Sequence, residues 1–219
     1  MASRRRLSLT ERRMVVTLQA PHRGIGSTIL GGGIGEVRSW LNLEVPLAYA
    51  RTDPLVHLAD EAADLLPPVA ATMTAAAVAD AVEVRVGGAW VAGTVGVSVP
   101  LAAAGALQPA AAVGTINLIA VLDVPLTDAG LVNAVQTMTE AKAQALAEGR
   151  VHACNHDGWA TGTATDSLLI ACPRPADHPG EPSDFAGPAT PIGNDLAVAV
   201  HRCTTEGLAR WRVRDAAPS

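Results

Sequence analysis

Two neighbouring segments of the chain carry side chains whose types and spacing could do chemistry. Residues 160–166 bring together three threonine hydroxyls, a glycine and the carboxylate of Asp166, directly ahead of the apolar run 167–172. A short distance upstream, a helical pattern contains Glu140 and Lys142. Hydroxyls, carboxylates and an amine are what a pocket that cleaves an amide or an ester needs. A capped turn beside a surface helix would show the same residue types, so both interpretations stand at this point.

The orientation of the helix that carries Lys142 determines which of these groups point inward. Its pattern predicts a start at Thr127 or Asp128 and an end near Gly149. Lys142 falls in the middle of the apolar stripe, whereas Glu140 falls about 160° away from it around the helix axis. A lysine on an apolar face either has a buried partner or extends its ammonium past the helix end into solvent.

The strand that precedes this helix contains a single amide side chain. Residues 115–122 read as a buried strand, which Asn117 interrupts. A buried amide must be hydrogen-bonded, so Asn117 either ties down a neighbouring loop or donates to a substrate carbonyl or oxyanion. Thr115 follows a glycine that would let the backbone approach a ligand closely.

An alternating trio of possible metal ligands follows the helix. His152, Cys154 and His156 would face one way on an extended segment and could then hold zinc. The segment is polar and contains Asn155, Asp157 and a glycine, which favours a turn, so the expected site contains no metal and no cofactor. The three cysteines are far apart and form no CxxC pair, which predicts reduced thiols and a cytoplasmic protein.

Composition excludes several classes of partner. The net charge is −5, and the only basic cluster lies within residues 4–13, so no nucleic-acid surface is predicted. Residues 86–122 carry no charge, but their glycines, prolines and β-branched residues predict buried strands rather than a membrane span. The region after the first arginines is polar, which does not fit a secretory signal. A homo-oligomer is left open.

The pattern of elements predicts an α+β fold with a mixed, mostly antiparallel sheet and about three main helices packed on its faces. Short strands are predicted at residues 14–18, 27–30 and 37–43, and the last of these alternates apolar residues with Asn42, as a half-buried strand does. Gly87 and Gly88 predict a tight hairpin turn. A final helix is expected at residues 193–211. We expect one domain over residues 1–219, with a flexible N-terminal tail at 1–12 and a frayed C-terminal tail at 212–219.

Taken in order, several motifs of the chain resemble those of the adenosylcobinamide amidohydrolase family of cobamide salvage. The matching segments are LGGG at 30–33, NLEVP at 42–46, TMTAA at 72–76, GTINL at 114–118, TEAK at 139–142, ATGTATD at 160–166, FAG at 185–187 and PIG at 191–193. The resemblance extends over residues 24–209. Each motif is weak alone, but their common order and spacing make the set fairly specific.

The resemblance implies an amidohydrolase that cleaves the amide joining aminopropanol to the corrin ring of adenosylcobinamide, with adenosylcobyric acid as the other product. The candidate catalytic residues are then Asp166, Glu140, Asn117 and Lys142. The candidate substrate-binding residues are Thr115, Thr161, Gly162, Thr163, Thr165, Asn42 and Trp159.

Two features leave other functions open. Family members commonly have Gly-Thr-His-Thr in the late loop, where this chain has Gly-Pro-Ala-Thr at 187–190. A corrinoid-binding protein without activity would fit the missing histidine, and a zinc-dependent amidohydrolase would use His152 and His156. A broad apolar pocket is expected for a flat macrocycle, with Trp40, Trp90 and Trp159 either as its walls or as core residues.

Overall fold

The computed structural model describes residues 5–107 and 114–216 of the chain. Residues 1–4, 108–113 and 217–219 lie outside the described part. The strands are β1 (Arg5–Leu9), β2 (Arg13–Gly26), β3 (Gly33–Glu44), β4 (Val69–Thr74), β5 (Val82–Val86), β6 (Ala89–Gly96), β7 (Pro100–Leu101), β8 (Thr115–Leu122), β9 (Gly162–Thr163) and β10 (Ser167–Cys172). The helices are α1 (Pro54–Glu61), α2 (Asp128–Glu148) and α3 (Pro191–Asp215).

Eight of these strands form one mixed sheet. Its order is β4-β3-β2-β10-β8-β6-β5, with β1 paired to β2 beside β10, while β7 and β9 form a separate pair. The pairs β3–β4 and β8–β10 are parallel, and the remaining pairs are antiparallel. The predicted α+β class is therefore confirmed, as are the glycine hairpin between β5 and β6 and the Thr127 cap of α2.

The sheet curls until its two halves meet. Asn117 on β8 donates to the Met73 carbonyl on β4 at 2.7 Å, although these strands are separated by three others in the sheet order. One face of the curled sheet encloses an apolar interior built around Trp40 and Trp90. The opposite face of β6, β8 and β10 packs against α2 and α3, and α1 covers β3 and β4. Trp40 and Trp90 are thus core residues, not pocket walls.

A network of polar side chains lies between the two halves of the curled sheet. Asn117 donates to the Asn42 side-chain oxygen at 2.9 Å, and Asn42 donates to the Thr94 hydroxyl at 2.9 Å. The Thr94 hydroxyl lies 3.2 Å from that of Thr74. Asn42 and Asn117 are both completely buried. The prediction of a half-buried β3 is therefore wrong around Asn42, because the other half of the curled sheet covers the face that was expected to meet solvent.

Regular structure extends into both ranges that were expected to be tails. Residues 5–9 form β1, because Leu7 packs against the apolar interior and the Arg5 guanidinium lies 4.6 Å from the Trp90 ring centre. At the other end, α3 continues to Asp215, and Arg214 there forms an ion pair with Asp80. Residues 27–30 are a turn with a single bridge at Leu30 rather than a strand.

Among the helices of the described residues, none combines the length and the apolar character needed to cross a membrane. The uncharged residues from 86 to 122 supply β6 and β8 instead, and every residue of these two strands is buried.

The Asn117 side chain is expected to stabilise the fold strongly. Truncation in Asn117→Ala leaves the Met73 carbonyl, the Asn42 oxygen and the Ser167 N–H without their partner. Buried polar groups left unpaired cost about 1–3 kcal/mol each, so we expect the free energy of unfolding to fall by about 3–5 kcal/mol in urea denaturation. Asn194→Ala, at an exposed position on α3, serves as the control and should change it by less than about 0.5 kcal/mol. A loss as small as that of the control would contradict the structural role.

Candidate active site

A buried ion pair joins two of the predicted site residues. The Lys142 ammonium on α2 contacts the Asp166 carboxylate just before β10, and their side chains are only 6% and 12% exposed. Lys142 is therefore paired rather than extended into solvent, as one of the two sequence-based alternatives proposed. Burying two charges is costly unless they neutralise each other, so this contact fixes α2 against the start of β10.

Further donors surround the Asp166 carboxylate. One oxygen accepts from the Ile116 N–H at 3.1 Å and from the Thr163 hydroxyl, and the other accepts from the Thr163 N–H at 3.2 Å. The Thr163 hydroxyl also lies 2.7 Å from the Gly114 carbonyl. A hydroxyl has one proton but can also accept, so Thr163 can bond to Asp166 in either of its protonation states.

Two more threonines lie beside this carboxylate. The Thr165 hydroxyl donates to the Gly114 carbonyl at 3.0 Å, and the hydroxyls of Thr115 and Thr165 are 2.9 Å apart. Because the Thr165 proton is used by Gly114, the bond between the two hydroxyls takes its proton from Thr115. The predicted threonines 115, 163 and 165 therefore gather at one place, as expected of a single site.

A cleft of about 410 Å³ opens at this place and is called the central cleft here. Its polar wall consists of Thr72, Thr74, Thr115, Thr165, Asp166 and Ser167. The rest of its lining, called the apolar wall here, is mainly apolar and includes Ile29, Val45, Pro46, Leu47, Tyr49 and Pro54.

Two further hollows adjoin the central cleft. The first shares Ser27 and Asp166 with it and also contains Thr139 and Lys142. The second shares Leu47 and Thr115 with it and is bordered by Trp211, among other residues. The two adjoining hollows each measure about 410 Å³ as well. Asp166 therefore borders both the central cleft and the first hollow, and Thr115 borders both the central cleft and the second.

Several predicted site residues lie elsewhere. Both N–H bonds of the Asn117 amide are used within the fold and its oxygen accepts from the Ser167 N–H, so Asn117 has no proton to offer an oxyanion. Asn42 is likewise enclosed. Glu140 is exposed on the side of α2 that faces away from Lys142, as the helical wheel indicated. It cannot activate a water beside Asp166.

Of the three remaining predicted residues, one lies against the ion pair and two lie away from the hollows. Gly162 lies against the ion pair, where an added Cβ would overlap both Asp166 and Lys142. The exposed Thr161 accepts from the Ala103 N–H at 2.9 Å. Trp159 is 42% exposed and contacts the His152 ring, and it lines none of the three hollows.

Several polar residues of the cleft were missed by the sequence reasoning, namely Ser27, Tyr49, Thr72, Thr74 and Ser167. Ser167 lines the central cleft, and its hydroxyl is buried with no hydrogen-bond partner in the described part of the chain. An unpaired buried hydroxyl is uncommon because it loses its bonds to water without replacing them. Its only signal in the sequence was its position directly after Asp166, at the start of an apolar strand.

The candidate zinc ligands and the buried thiols lie outside the three hollows. Within residues 5–107 and 114–216, no three His, Cys, Asp or Glu side chains are grouped to hold a metal, so His152, Cys154 and His156 do not form the alternative zinc site. His156 instead accepts from the Gly158 N–H at 2.9 Å. Burial raises the pKa of Cys172 to about 11 and that of Cys203 to about 12, so neither is a ready thiolate.

The late loop that lacks the family histidine caps α3. The Thr190 hydroxyl accepts from the Gly193 N–H at 3.1 Å, and Ala189 is exposed. The three hollows contain none of residues 187–190. In this chain Ala189 therefore lies outside the hollows around Asp166.

Comparisons with known proteins agree with the motif pattern. The family model described as adenosylcobinamide amidohydrolase matches residues 2–216. A protein of Halobacterium salinarum with that name is 32% identical over 217 residues, covering 93% of this chain and 86% of its own. An uncharacterised protein of Methanocaldococcus jannaschii is 33% identical over 105 residues, which is 48% of this chain and 39% of that protein.

The overlap at Gly162 leads to a stability prediction. In Gly162→Ala the new methyl group pushes Lys142 and Asp166 apart, and an incompletely paired buried charge costs about 3–5 kcal/mol. We expect urea denaturation to show a loss of that size in the free energy of unfolding. Gly35→Ala is the matched control, because a Cβ on this strand glycine meets nothing within 4 Å. Equal effects of the two substitutions would show that the pair tolerates the methyl group.

Proposed function

The chain belongs to the adenosylcobinamide amidohydrolase family, and from that membership we propose that it cleaves the amide between aminopropanol and the corrin ring of adenosylcobinamide. The products are adenosylcobyric acid and the amino alcohol, which returns a salvaged precursor to cobamide synthesis in the cytoplasm. The observation that carries the proposal is the buried Lys142–Asp166 pair beside the central cleft. It brings a carboxylate, an ammonium and several hydroxyls to the edge of a cavity, as amide hydrolysis requires.

The central cleft and its two neighbouring hollows support a large substrate. Three hollows that share lining residues suit a broad, flat ring better than a compact metabolite. The apolar wall around Leu47 and Ile29 would contact the macrocycle, and the polar wall around Asp166 would face the amide arm that is cleaved. Leu47 is 65% exposed in the free protein, which leaves apolar surface for the ring to cover.

Asp166 is the proposed base that activates water. When its carboxylate takes a proton from water, the new O–H can donate to the Thr163 hydroxyl, which then donates to the Gly114 carbonyl at 2.7 Å. Thr163 thus accommodates both the charged and the neutral carboxyl group without leaving a polar atom unpaired. Lys142 contacts the carboxylate and holds it in place.

Stabilisation of the tetrahedral intermediate is assigned to hydroxyl groups of the cleft. Attack of water moves negative charge onto the carbonyl oxygen, which needs a nearby donor. Ser167 is the best candidate because it lines the cleft and its buried hydroxyl has no partner among the described residues. It replaces Asn117 in this role, since both N–H bonds of Asn117 are used within the fold.

Removal of the proposed base should abolish turnover. We expect Asp166→Asn to lower kcat for aminopropanol release by about 10²–10⁴-fold, the usual contribution of a positioned base. Glu140→Gln is the control, because this exposed carboxylate lies on the far side of α2, and it should keep wild-type activity. Amine release is followed by chromatography of the purified proteins with adenosylcobinamide. If wild type changes the corrinoid absorbance without releasing aminopropanol, the chain is a binding protein and the proposal fails.

Loss of the Ser167 hydroxyl should affect the transition state more than binding. We expect Ser167→Ala to reduce kcat by about 10²–10³-fold with little change in KM, as for other single oxyanion donors. Thr205→Ala, which removes an exposed hydroxyl of α3 outside the three hollows, provides the comparison and should retain full activity. A rise in KM at unchanged kcat would assign Ser167 to substrate binding instead.

A further inference from the structure

The central cleft has a second titratable side chain, and it belongs to a connected group. We propose that Tyr49, His57 and Glu61 form a proton relay that protonates the departing aminopropanol nitrogen. This inference rests on the proposed function, since it assigns the acid for the same reaction. An amine is a poor leaving group unless its nitrogen is protonated as the carbon–nitrogen bond breaks.

The three side chains are linked in series. The Tyr49 hydroxyl lies 3.0 Å from Nδ1 of His57, and Nε2 of the same ring lies 3.7 Å from the Glu61 carboxylate. The Tyr49 and His57 rings are stacked at 5.7 Å between centres with 13° between their planes. Tyr49 lines the cleft, whereas the His57 side chain is only 14% exposed and stands behind it.

The fold holds this group in place. His57 and Glu61 are one helical turn apart on α1, so their side chains lie on the same face. Pro54 starts the helix and also lines the cleft, which fixes α1 beside Tyr49. Leu58, completely buried, anchors the helix on the apolar cluster over β3 and β4.

Tyr49 and Asp166 are the only two residues with titratable side chains among those that line the central cleft in the described structure. A base and an acid are both needed for amide hydrolysis, because water must lose a proton and nitrogen must gain one. Lys142 does not meet the second need, since its ammonium is bound to Asp166 and borders the adjoining hollow. The hydroxyls of serine and threonine are much weaker acids than a phenol, whose usual pKa is about 10.

Each proton that moves in the proposed reaction has a donor and an acceptor. Water adds to the carbonyl carbon and gives one proton to Asp166. The tetrahedral intermediate then collapses, the carbon–nitrogen bond breaks, and nitrogen takes the Tyr49 proton. The phenolate takes a proton from Nδ1 of His57, and the ring regains one from solvent at Nε2, which lies 3.7 Å from the Glu61 carboxylate. Asp166 and His57 return to their starting states by exchanging protons with solvent.

Leaving-group chemistry tests the relay. Tyr49→Phe keeps the ring and removes the hydroxyl. Two substrates are compared: adenosylcobinamide, and a p-nitrophenyl ester of the same corrin side chain, whose leaving group departs without a proton. We expect kcat for the amide to fall about 10²–10⁴-fold and kcat for the ester to stay within about 2-fold of wild type.

A second variant tests the inner member of the relay. His57→Gln should lower kcat for the amide and spare the ester, as Tyr49→Phe does. His201→Gln is the matched control, because His201 pairs with Glu148 at 2.7 Å on the surface of α3 and should affect neither substrate. Retained corrinoid absorbance changes on mixing show that each variant keeps a folded cleft.

The outcomes distinguish failure of the relay from failure of the proposed function. Equal losses on amide and ester in Tyr49→Phe overturn the relay, since a binding or packing role affects both substrates alike. Wild-type amide hydrolysis that survives in Tyr49→Phe overturns the relay and leaves the proposed function intact. Absence of amide hydrolysis in the wild type overturns both.

Discussion

The pairing of two buried charges is the constraint on which the rest of the site depends. An isolated ammonium or carboxylate in this position would cost several kcal/mol, so Lys142 and Asp166 must stay in contact. The other donors to Asp166 come from separate elements, namely Ile116 on β8 and Thr163 on β9. One carboxylate therefore fixes a helix and two strands relative to the start of β10, and Gly162 is needed because only a hydrogen fits against the pair.

The curled sheet holds the residues around this ion pair in place. Asn42 and Asn117 connect its two halves, and the Ser167 N–H is bound to the Asn117 oxygen at 3.1 Å. The two amide side chains therefore position the backbone of the site and do not contact a substrate. Fixing the start of β10 also fixes Asp166 and the Ser167 hydroxyl, whose positions relative to a scissile carbonyl would have to be accurate to within about 0.5 Å.

Sequence alone predicted the parts of the site that are local. The apolar stripe of α2 placed Lys142 inward and Glu140 outward, and the threonine turn was correctly expected to lead from Asp166 into a strand. The amides were ambiguous because their partners are remote: Asn117 and Asn42 are 75 residues apart, and no periodicity reveals that the sheet brings them together. The half-buried pattern of β3 was misleading for the same reason. Curling of a sheet is a property of all its strands and cannot be read from one of them.

The two titratable groups of the cleft limit how a substrate could lie. Asp166 and Tyr49 both line the cleft, so an amide served by both would lie with its carbonyl carbon towards Asp166 and its nitrogen towards Tyr49. Binding of the ring against Leu47 would bury exposed apolar surface close to Tyr49 and remove water from both groups. Exclusion of water strengthens the electrostatic interactions on which a base and an acid depend. In this arrangement the same apolar wall that would bind the macrocycle would also prepare the groups that cleave it.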